Sequence, residues 1–326
     1  MPADTITLLT RATGLALAIL LAPALAAAQT YPNKPIRIVS PGPAGGGTDV
    51  AARLIGQKLT EQWGQPVIVE NRGGAGGTIG MEIVARSAPD GYSLVLVYGS
   101  FFIAPAVYSK LRYDSVKDFS PVIHLFNAPL MIAANPAVPA RSVKELIALA
   151  KTKPGAITYS TPGVGSGSHL GGELLNSIAG IKLSHVPYKG TAPAVTDAIG
   201  GQVNLLITAV QNTVTHIRSG RLVPIGTTAL KRTTVLPEVP AVAETLPGFE
   251  VISPYGILAP ARTPRDIVAK LNSAVGALLS NAEFKKHFEQ DGVEITGGSP
   301  EQFNERIRAY LLHYAKLVQL AGVKEE

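Results

Sequence analysis

The sequence predicts an α/β fold of two lobes, and three observations carry that reading. Short β-branched apolar runs alternate with stretches of helical period. Glycine-rich turns stand where predicted strands pass into predicted helices. The chain has 326 residues, which favours two domains of ordinary size. An apolar fraction of 46% supplies enough side chain for a full core, so disorder is excluded as the main state.

Residues 1–28 read as a secretory signal peptide. Arg11 gives the positive end, residues 14–22 form an apolar run, and Ala24-Leu25-Ala26-Ala27-Ala28 is a small-residue exit, with cleavage expected after Ala26 or Ala28. The run is too short for about 20 spanning residues and Pro23 interrupts it, which argues against an anchor. The mature chain is therefore expected in the periplasm, with no lipid tether because there is no Cys.

The next elements follow in order. Strands are expected over residues 36–40, 66–69, 93–98, 157–160, 203–208 and 223–227, and helices over 50–62, 81–87, 143–151 and 170–178. Ser142-Val143-Lys144-Glu145, Thr263-Pro264-Arg265-Asp266 and Ser299-Pro300-Glu301-Gln302 resemble capped helix starts, the last two with Pro at the first helical position. The final helix places Phe303, Ile307, Tyr310, Leu311, Tyr314 and Leu317 at 3–4 spacing, a packing face.

Composition closes several routes. The absence of Cys removes disulfides, thiol nucleophiles and Cys-ligated metals. His124, His169, His185, His216, His287 and His313 are dispersed and form no HExxH, so no metal and no cofactor are expected. With 29 Lys+Arg against 23 Asp+Glu the net charge is +6. There is no basic run and no basic–aromatic interleaving, so nucleic acid is not an expected partner; small anions, or solubility alone, account for the charge.

Three glycine-rich turns concentrate the chemistry. Loop 1, Ser40-Pro41-Gly42-Pro43-Ala44-Gly45-Gly46-Gly47-Thr48-Asp49, lies between a strand and a helix. Glycine lets the backbone approach a ligand, and a helix N-terminus presents unpaired N–H groups with partial positive charge, a seat for a carboxylate or phosphate. Loop 2 repeats the order about 120 residues on: Ser160-Thr161-Pro162-Gly163-Val164-Gly165-Ser166-Gly167-Ser168-His169. Two such seats facing each other would clamp an anion. The third turn, Asn71-Arg72-Gly73-Gly74-Ala75-Gly76-Gly77-Thr78-Ile79-Gly80, is expected to be structural, with Thr78 capping the next helix. Asp49 is expected either to cap its helix or to meet a ligand ammonium, hydroxyl or water, since a carboxylate there repels an anion.

Nucleotide and acyl-transfer patterns fail. No Gly-Lys pair exists for a P-loop, no turn fits G-x-G-x-x-G, and neither Ser166 nor Ser168 has Gly at both −2 and +2. An exported hydrolase using His169 and a nearby Ser stays a minor alternative, with His169 expected instead to donate to a ligand or satisfy backbone. Ligands in open α/β sheets lie beyond the carboxyl ends of strands. That rule adds Ser100, Phe101, Lys189, Gly190, Ala192 and Thr208 to the site residues Ala44, Gly45, Gly46, Thr48, Asp49, Gly165, Ser166, Ser168 and His169.

With these residues assembled, the chain resembles the Bug family, the extracytoplasmic solute receptors of tripartite tricarboxylate transporters. The marks run in order along the mature chain: Tyr31-Pro32-Asn33-Lys34-Pro35-Ile36-Arg37, Gly46-Gly47-Thr48-Asp49, Val69-Glu70-Asn71-Arg72, Gly74-Ala75-Gly76-Gly77-Thr78-Ile79-Gly80, Pro89-Asp90-Gly91-Tyr92, His185-Val186-Pro187-Tyr188-Lys189-Gly190, Ala259-Pro260 and Lys270-Leu271-Asn272. The resemblance implies a type II periplasmic-binding-protein fold, with two α/β lobes closing by a hinge on a small carboxylate. It implies lobe 1 from 29–129 plus 254–326 and lobe 2 from 130–253, with crossings near 128–133 and 252–258. It further implies that loops 44–49 and 165–169 hold carboxylates largely through backbone N–H, that the receptor is a monomer, and that it serves membrane permease subunits; a ligand-sensing accessory to a signalling protein is the alternative. Departures fall on side chains: Ser253-Pro254-Tyr255-Gly256 stands where many relatives have Trp before the aromatic-Gly pair, Asn204 where Asp is common, and Thr208-Ala209-Val210 in place of more polar combinations.

Overall fold

The computed structural model describes residues 31–290 and 292–324; the expected signal segment, 1–28, lies outside them. β1 (Ile36–Ser40), β2 (Val67–Asn71) and β3 (Ser93–Val97) run parallel in the order β2-β1-β3. A second parallel set, β7-β5-β6, is made of β5 (Thr158–Thr161), β6 (Ser184–Pro187) and β7 (Leu205–Ala209). Two long strands join the sets: β4 (Phe119–Ala134) and, antiparallel to it, β9 (Ile252–Pro260). β8 (Val223–Thr227) and the short β10 (Glu294–Ile295) pair with β4.

The register decides where the strand ends point. β3 lies antiparallel to β9, Val95 opposite Leu258 and Val97 opposite Gly256, so its carboxyl end heads toward residue 129 of β4. β7 lies antiparallel to β4 from the other side, with Ala209 opposite Leu130 and Leu205 opposite Ala134. The carboxyl ends of both parallel sets therefore converge on residues 129–130 from opposite directions. Each set presents its strand–helix turns to the other, which is the arrangement that open α/β sheets use for ligands.

The helices are α1 (Gly47–Trp63), α2 (Thr78–Ala85), α3 (Gly99–Val107), α4 (Val143–Thr152), α5 (Gly167–Ala179), α6 (Thr191–Ile199), α7 (Val214–Arg218), α8 (Arg265–Ser280), α9 (Ala282–Glu289) and α10 (Pro300–Ala321). Two of the predicted starts have the expected chemistry. The Ser142 hydroxyl accepts from the Glu145 N–H, and Ser299 and Gln302 form a reciprocal capping box with Pro300 at the first position of α10. Two differ. Thr263 donates its hydroxyl to the Pro260 carbonyl, and α8 starts at Arg265 without a side-chain cap. Thr78 likewise donates to the Ala75 carbonyl, and α2 is preceded by a left-handed Gly77 with no side chain to cap it. In both cases the hydroxyl lies closer to a turn carbonyl behind it than to the helix N–H groups ahead.

The predicted face of α10 is real: Phe303, Ile307, Tyr314 and Leu317 are buried, against α3, β4 and α5. Phe102 packs on Tyr310 and Tyr314, with centroids at 5.2 and 6.2 Å. Because α10 also reaches α5, where the Ser177 hydroxyl donates to the Leu320 carbonyl at 2.9 Å, one apolar cluster runs through both halves of the sheet. His124 belongs to this core: fully buried, stacked on Phe303 at 5.3 Å, with one ring nitrogen 3.0 Å from Arg306 and the other 3.1 Å from Asn127 Oδ1. Burial first, then Arg306, push it down to about 4, so the ring is neutral.

Candidate functional site

Loop 1 is held from inside. After the buried Ser40 the chain turns through residues 41–46, with Gly45 at φ +76, a conformation that favours glycine. Gly46 is the N-cap of α1 in extended backbone (φ −77, ψ 166), and it has no side chain to cap the helix. The carboxylate of Asp49, in the first turn, reaches back and accepts from the Gly45 N–H (2.9 Å), Asn71 Nδ2 (2.9 Å) and Arg53 Nε (3.1 Å). Burial acts to raise its pKa, but the bonds from Arg53, Gly45 and Asn71 outweigh it and hold the carboxyl below the usual range. Asn71 also donates to the Gly42 carbonyl, and the Ser40 hydroxyl to Thr48 Oγ1 at 2.9 Å. Asp49 thus ties the loop to β2 and leaves the helix start uncapped by any side chain.

Loop 2 is closed on itself. The Ser166 hydroxyl caps α5 by accepting from the His169 N–H (3.2 Å) and donates to the Gly163 carbonyl (2.7 Å). The Gly165 N–H donates to His169 Nδ1 at 3.3 Å. His169 stacks on His185, with centroids at 4.1 Å and planes at 11°, and His185 stacks in turn on Tyr159. Thr161 Oγ1 lies 2.7 Å from His185 Nε2. Burial, with the neighbouring His169 second, pushes His185 down to about 3, so the His185 ring is neutral. His169 Nδ1 accepts from backbone and the Ser166 hydroxyl donates to a carbonyl, so these two are not bonded to each other as nucleophile and base.

Turns from the two strand sets approach each other across the sheet. A Cβ on Gly190 would stand 2.8 Å from Pro43 Cγ of loop 1. One on Gly76, in the third turn, would stand 3.4 Å from the Val164 carbonyl of loop 2 and 2.9 Å from the Tyr108 hydroxyl. One on Gly47, the first residue of α1, would stand 2.9 Å from the Tyr255 hydroxyl and 3.3 Å from Gln211 Nε2. These approaches leave little room for a side chain at Gly47, Gly76 or Gly190.

Comparison with known proteins fits this geometry. Residues 51–323 match the family described as tripartite tricarboxylate transporter family receptor. The chain belongs to that family. It is 37% identical over 319 residues to a UPF0065 protein of Bordetella bronchiseptica, covering 95% of each chain, and 35% identical over 300 residues to BugT of Bordetella pertussis, covering 91% and 92%. Among solved structures, the periplasmic binding protein BugD superposes with a TM-score of 0.85 at 37% identity, over 90% of this chain and 100% of BugD. The adipate-bound R. palustris protein Rpa4515 gives 0.87 at 32% over 90% and 100%, and malate-bound MatC from Rhodopseudomonas palustris gives 0.83 at 31% over 88% and 100%. The mixed α/β fold of this receptor is thus that of the Bug-type periplasmic binding proteins.

Within the receptor, the remaining expected residues divide. Ser100, Ser168 and Thr208 are buried at the convergent strand ends, at the starts of α3 and α5 and on β7. Gly190 is buried at the start of α6 with φ +116, whereas Lys189 and Ala192 beside it are exposed. Ala44 is exposed on loop 1. Phe101, expected at the site, has no exposed surface: it packs on Phe102, Phe119 and Tyr113 at 5.2, 5.5 and 6.2 Å and belongs to the core, because the helical turn after Ser100 aims it inward.

Sequence reasoning missed a group of polar side chains between the loops. Tyr98 and Tyr255 lie with ring centroids 6.3 Å apart, and burial above all raises both phenols, so both stay protonated, with the Tyr98 hydroxyl donating to the Gly76 carbonyl at 3.2 Å. Ser253 on β9 accepts from the Gly99 N–H at 3.0 Å and fixes the start of α3. Gln211 reaches the start of α1 from the other half of the sheet. Tyr255 was visible only as a family departure, and Gln211 carried no signal, since a lone Gln after a strand has no pattern.

Among the described residues no Lys or Arg is buried, no helix is long and apolar enough to cross a membrane, and no group of three or more His, Asp or Glu could hold a metal. A cavity of about 750 Å³ lies elsewhere, between residues 229–234, β10 and the β4–β9 crossing; a smaller one of about 200 Å³ touches Gly45, Gly47 and Gln211. Volume alone would favour the first. The second adjoins the start of α1, lined also by β4, residues 211–212, α9 and Val293.

Proposed function

We propose that this protein is a periplasmic receptor that captures a small carboxylate between two lobes and delivers it to the permease subunits of a tripartite tricarboxylate-type transporter. The observation that supports the reading best is the pair of helix starts, α1 and α5, brought to face one another by the register of β4. Each end carries about half a positive charge and unpaired N–H donors, which suits one carboxylate per helix. Hydrogen bonds to a charged acceptor are worth roughly 1.5–3 kcal/mol each, more once closure excludes water. Loop 1 would contribute Ala44, Gly45, Gly46 and Thr48, with Asp49 holding the loop's shape; loop 2 would contribute Gly165, Ser166, Ser168 and His169; and Ser100, Gly190 and Thr208 would border the cleft.

The lobes of this reading are 29–129 plus 254–326 and 130–253, hinged where β4 and β9 cross between them. Residues 1–28 would direct export and be removed, leaving a free monomer. The ligands bound in two structural relatives, adipate and malate, are both dicarboxylates and make that the first class to try.

Titration calorimetry of the mature protein against monocarboxylates, dicarboxylates, amino acids and sugars tests this. Saturable binding confined to carboxylates is expected. Binding of a sugar in preference, or of nothing on a panel spanning three to eight carbons, would overturn it.

A further inference from the structure

The donors gathered between the loops suit carboxylate oxygens, but one buried atom does not. Gln211 sits in the single 3-10 turn Val210–Asn212 directly after β7, at the point where that strand reaches the crossing. The turn is firmly placed. Val210 is fully buried, both the N–H and the hydroxyl of Thr213 donate to its carbonyl at 2.8 Å, and Asn212 donates to Thr208 Oγ1 at 3.3 Å. Gln211 is thereby carried across to α1, its Nε2 3.3 Å from where a Gly47 Cβ would stand, with the Tyr255 hydroxyl 2.9 Å from the same point. Its Oε1 is buried and has no hydrogen-bond partner. A carboxamide oxygen only accepts. A carboxylate only accepts too, so an unsubstituted diacid cannot satisfy it, whereas the Tyr255 phenol beside Gly47 can donate to such a ligand.

We propose that Gln211 is a specificity residue: its Oε1 accepts from a hydroxyl or ammonium on the carbon next to the carboxylate seated at the start of α1, so that this receptor prefers 2-substituted acids over their unsubstituted counterparts. The proximity of Gln211 to Gly47 sets the position of that substituent within one or two bonds of the carboxylate, and the cavity of about 200 Å³ beside them has room for it. The proposal rests on the carboxylate-receptor reading and narrows it.

The test is calorimetric titration with matched acids: lactate against propionate, malate against succinate, 2-hydroxyadipate against adipate, and alanine, aspartate and 2-aminoadipate as the ammonium arms. For whichever chain length binds, the wild type is expected to hold the hydroxy or amino acid at least tenfold tighter, and the two arms say which donor is read. Gln211→Met, which keeps length and removes the carboxamide, is expected to bring that ratio near one by weakening the substituted acid more than the unsubstituted one. Gln211→Glu keeps an acceptor and is expected to retain the ratio while weakening every acid by its charge. Equal or tighter binding of the unsubstituted acid by the wild type, survival of the ratio in Gln211→Met, or its loss in Gln211→Glu would overturn the role of Oε1 while the carboxylate reading stands. If no acid binds, both fall together.

Discussion

Loop 1 and loop 2 look interchangeable as sequences and are built differently as structures. Both run from a strand through glycines into a helix, but loop 1 ends on Gly46, which caps nothing, and loop 2 on Ser166, which caps the His169 N–H itself. Loop 1 is braced by groups behind it, Asp49, Asn71 and Arg53, whereas loop 2 is braced by its own serine and histidine. The lesson is that a helix start can be kept receptive in two ways. One leaves the N–H groups bare and fixes the backbone from outside; the other spends some of them on local bonds to hold its shape. On the proposed reading, loop 1 would be the stronger carboxylate seat of the two.

Placing a fixed negative charge at each cap should separate them most sharply. Both caps have extended backbone suited to Asp, which is itself a good N-cap, so the fold should persist. Gly46→Asp should weaken carboxylate binding about a thousandfold, in line with ~4 kcal/mol for like charges near 4 Å at an effective dielectric of 20. Ser166→Asp, which replaces an existing cap, should cost less, about a hundredfold. Calorimetry beside circular dichroism checks both, and equal losses would dissolve the distinction between the loops.

Acid should act next, through buried histidines rather than through loop 1. His124 is lowered to about 4 and His185 to about 3, against about 6.5 in the unfolded chain. A neutral buried His contributes stability that is full above the unfolded value and is lost as pH falls toward the folded one. Melting temperature should therefore drop between pH 6.5 and pH 4, with up to about 3 kcal/mol traceable to His124. His124→Gln should flatten that part of the curve, and an unchanged slope would contradict it.

Smaller effects should distinguish the two kinds of bracing. Asn71→Ala removes a bond to Asp49 and one to Gly42, and is expected to destabilise by about 1–2 kcal/mol and to weaken ligand binding through loop 1. Ser166→Ala removes the cap on the His169 N–H and the bond to the Gly163 carbonyl, together worth about 1–2 kcal/mol, and should change affinity by no more than a few fold. Chemical denaturation paired with titration reads both quantities. If Ser166→Ala weakened binding more than Asn71→Ala, loop 2 and not loop 1 would be the dominant seat.

How much of this was legible in the sequence follows from the kind of signal each part carries. The parallel strands announce themselves as β-branched runs, and α10 as a periodic face closed by a capping box, because these depend on local pattern. β4 and β9 do not: residues 119–134 and 252–260 contain Pro121, Pro129 and Pro254 and a nearly unbroken apolar composition, and their strand character comes from pairing with each other. α3 is similarly hidden, an apolar stretch with Pro105 that is helical because Ser253 fixes its start and α10 covers it. The loops were readable from glycine spacing, but Phe101 was misplaced because sequence order does not say which way the first turn of a helix faces. Gln211, Tyr98 and Tyr255 emerge only when the register of β4 brings the two strand sets together.

The central claim, that the ligand is held between the starts of α1 and α5, is tested most directly by following backbone amide resonances of the isotope-labelled protein during titration with malate or its best-bound analogue. The account predicts saturable shifts at the amides of residues 45–48 and 165–168 with a common affinity. Shifts confined to residues 229–234 and 292–295, around the larger cavity, with both loops unmoved, would contradict it.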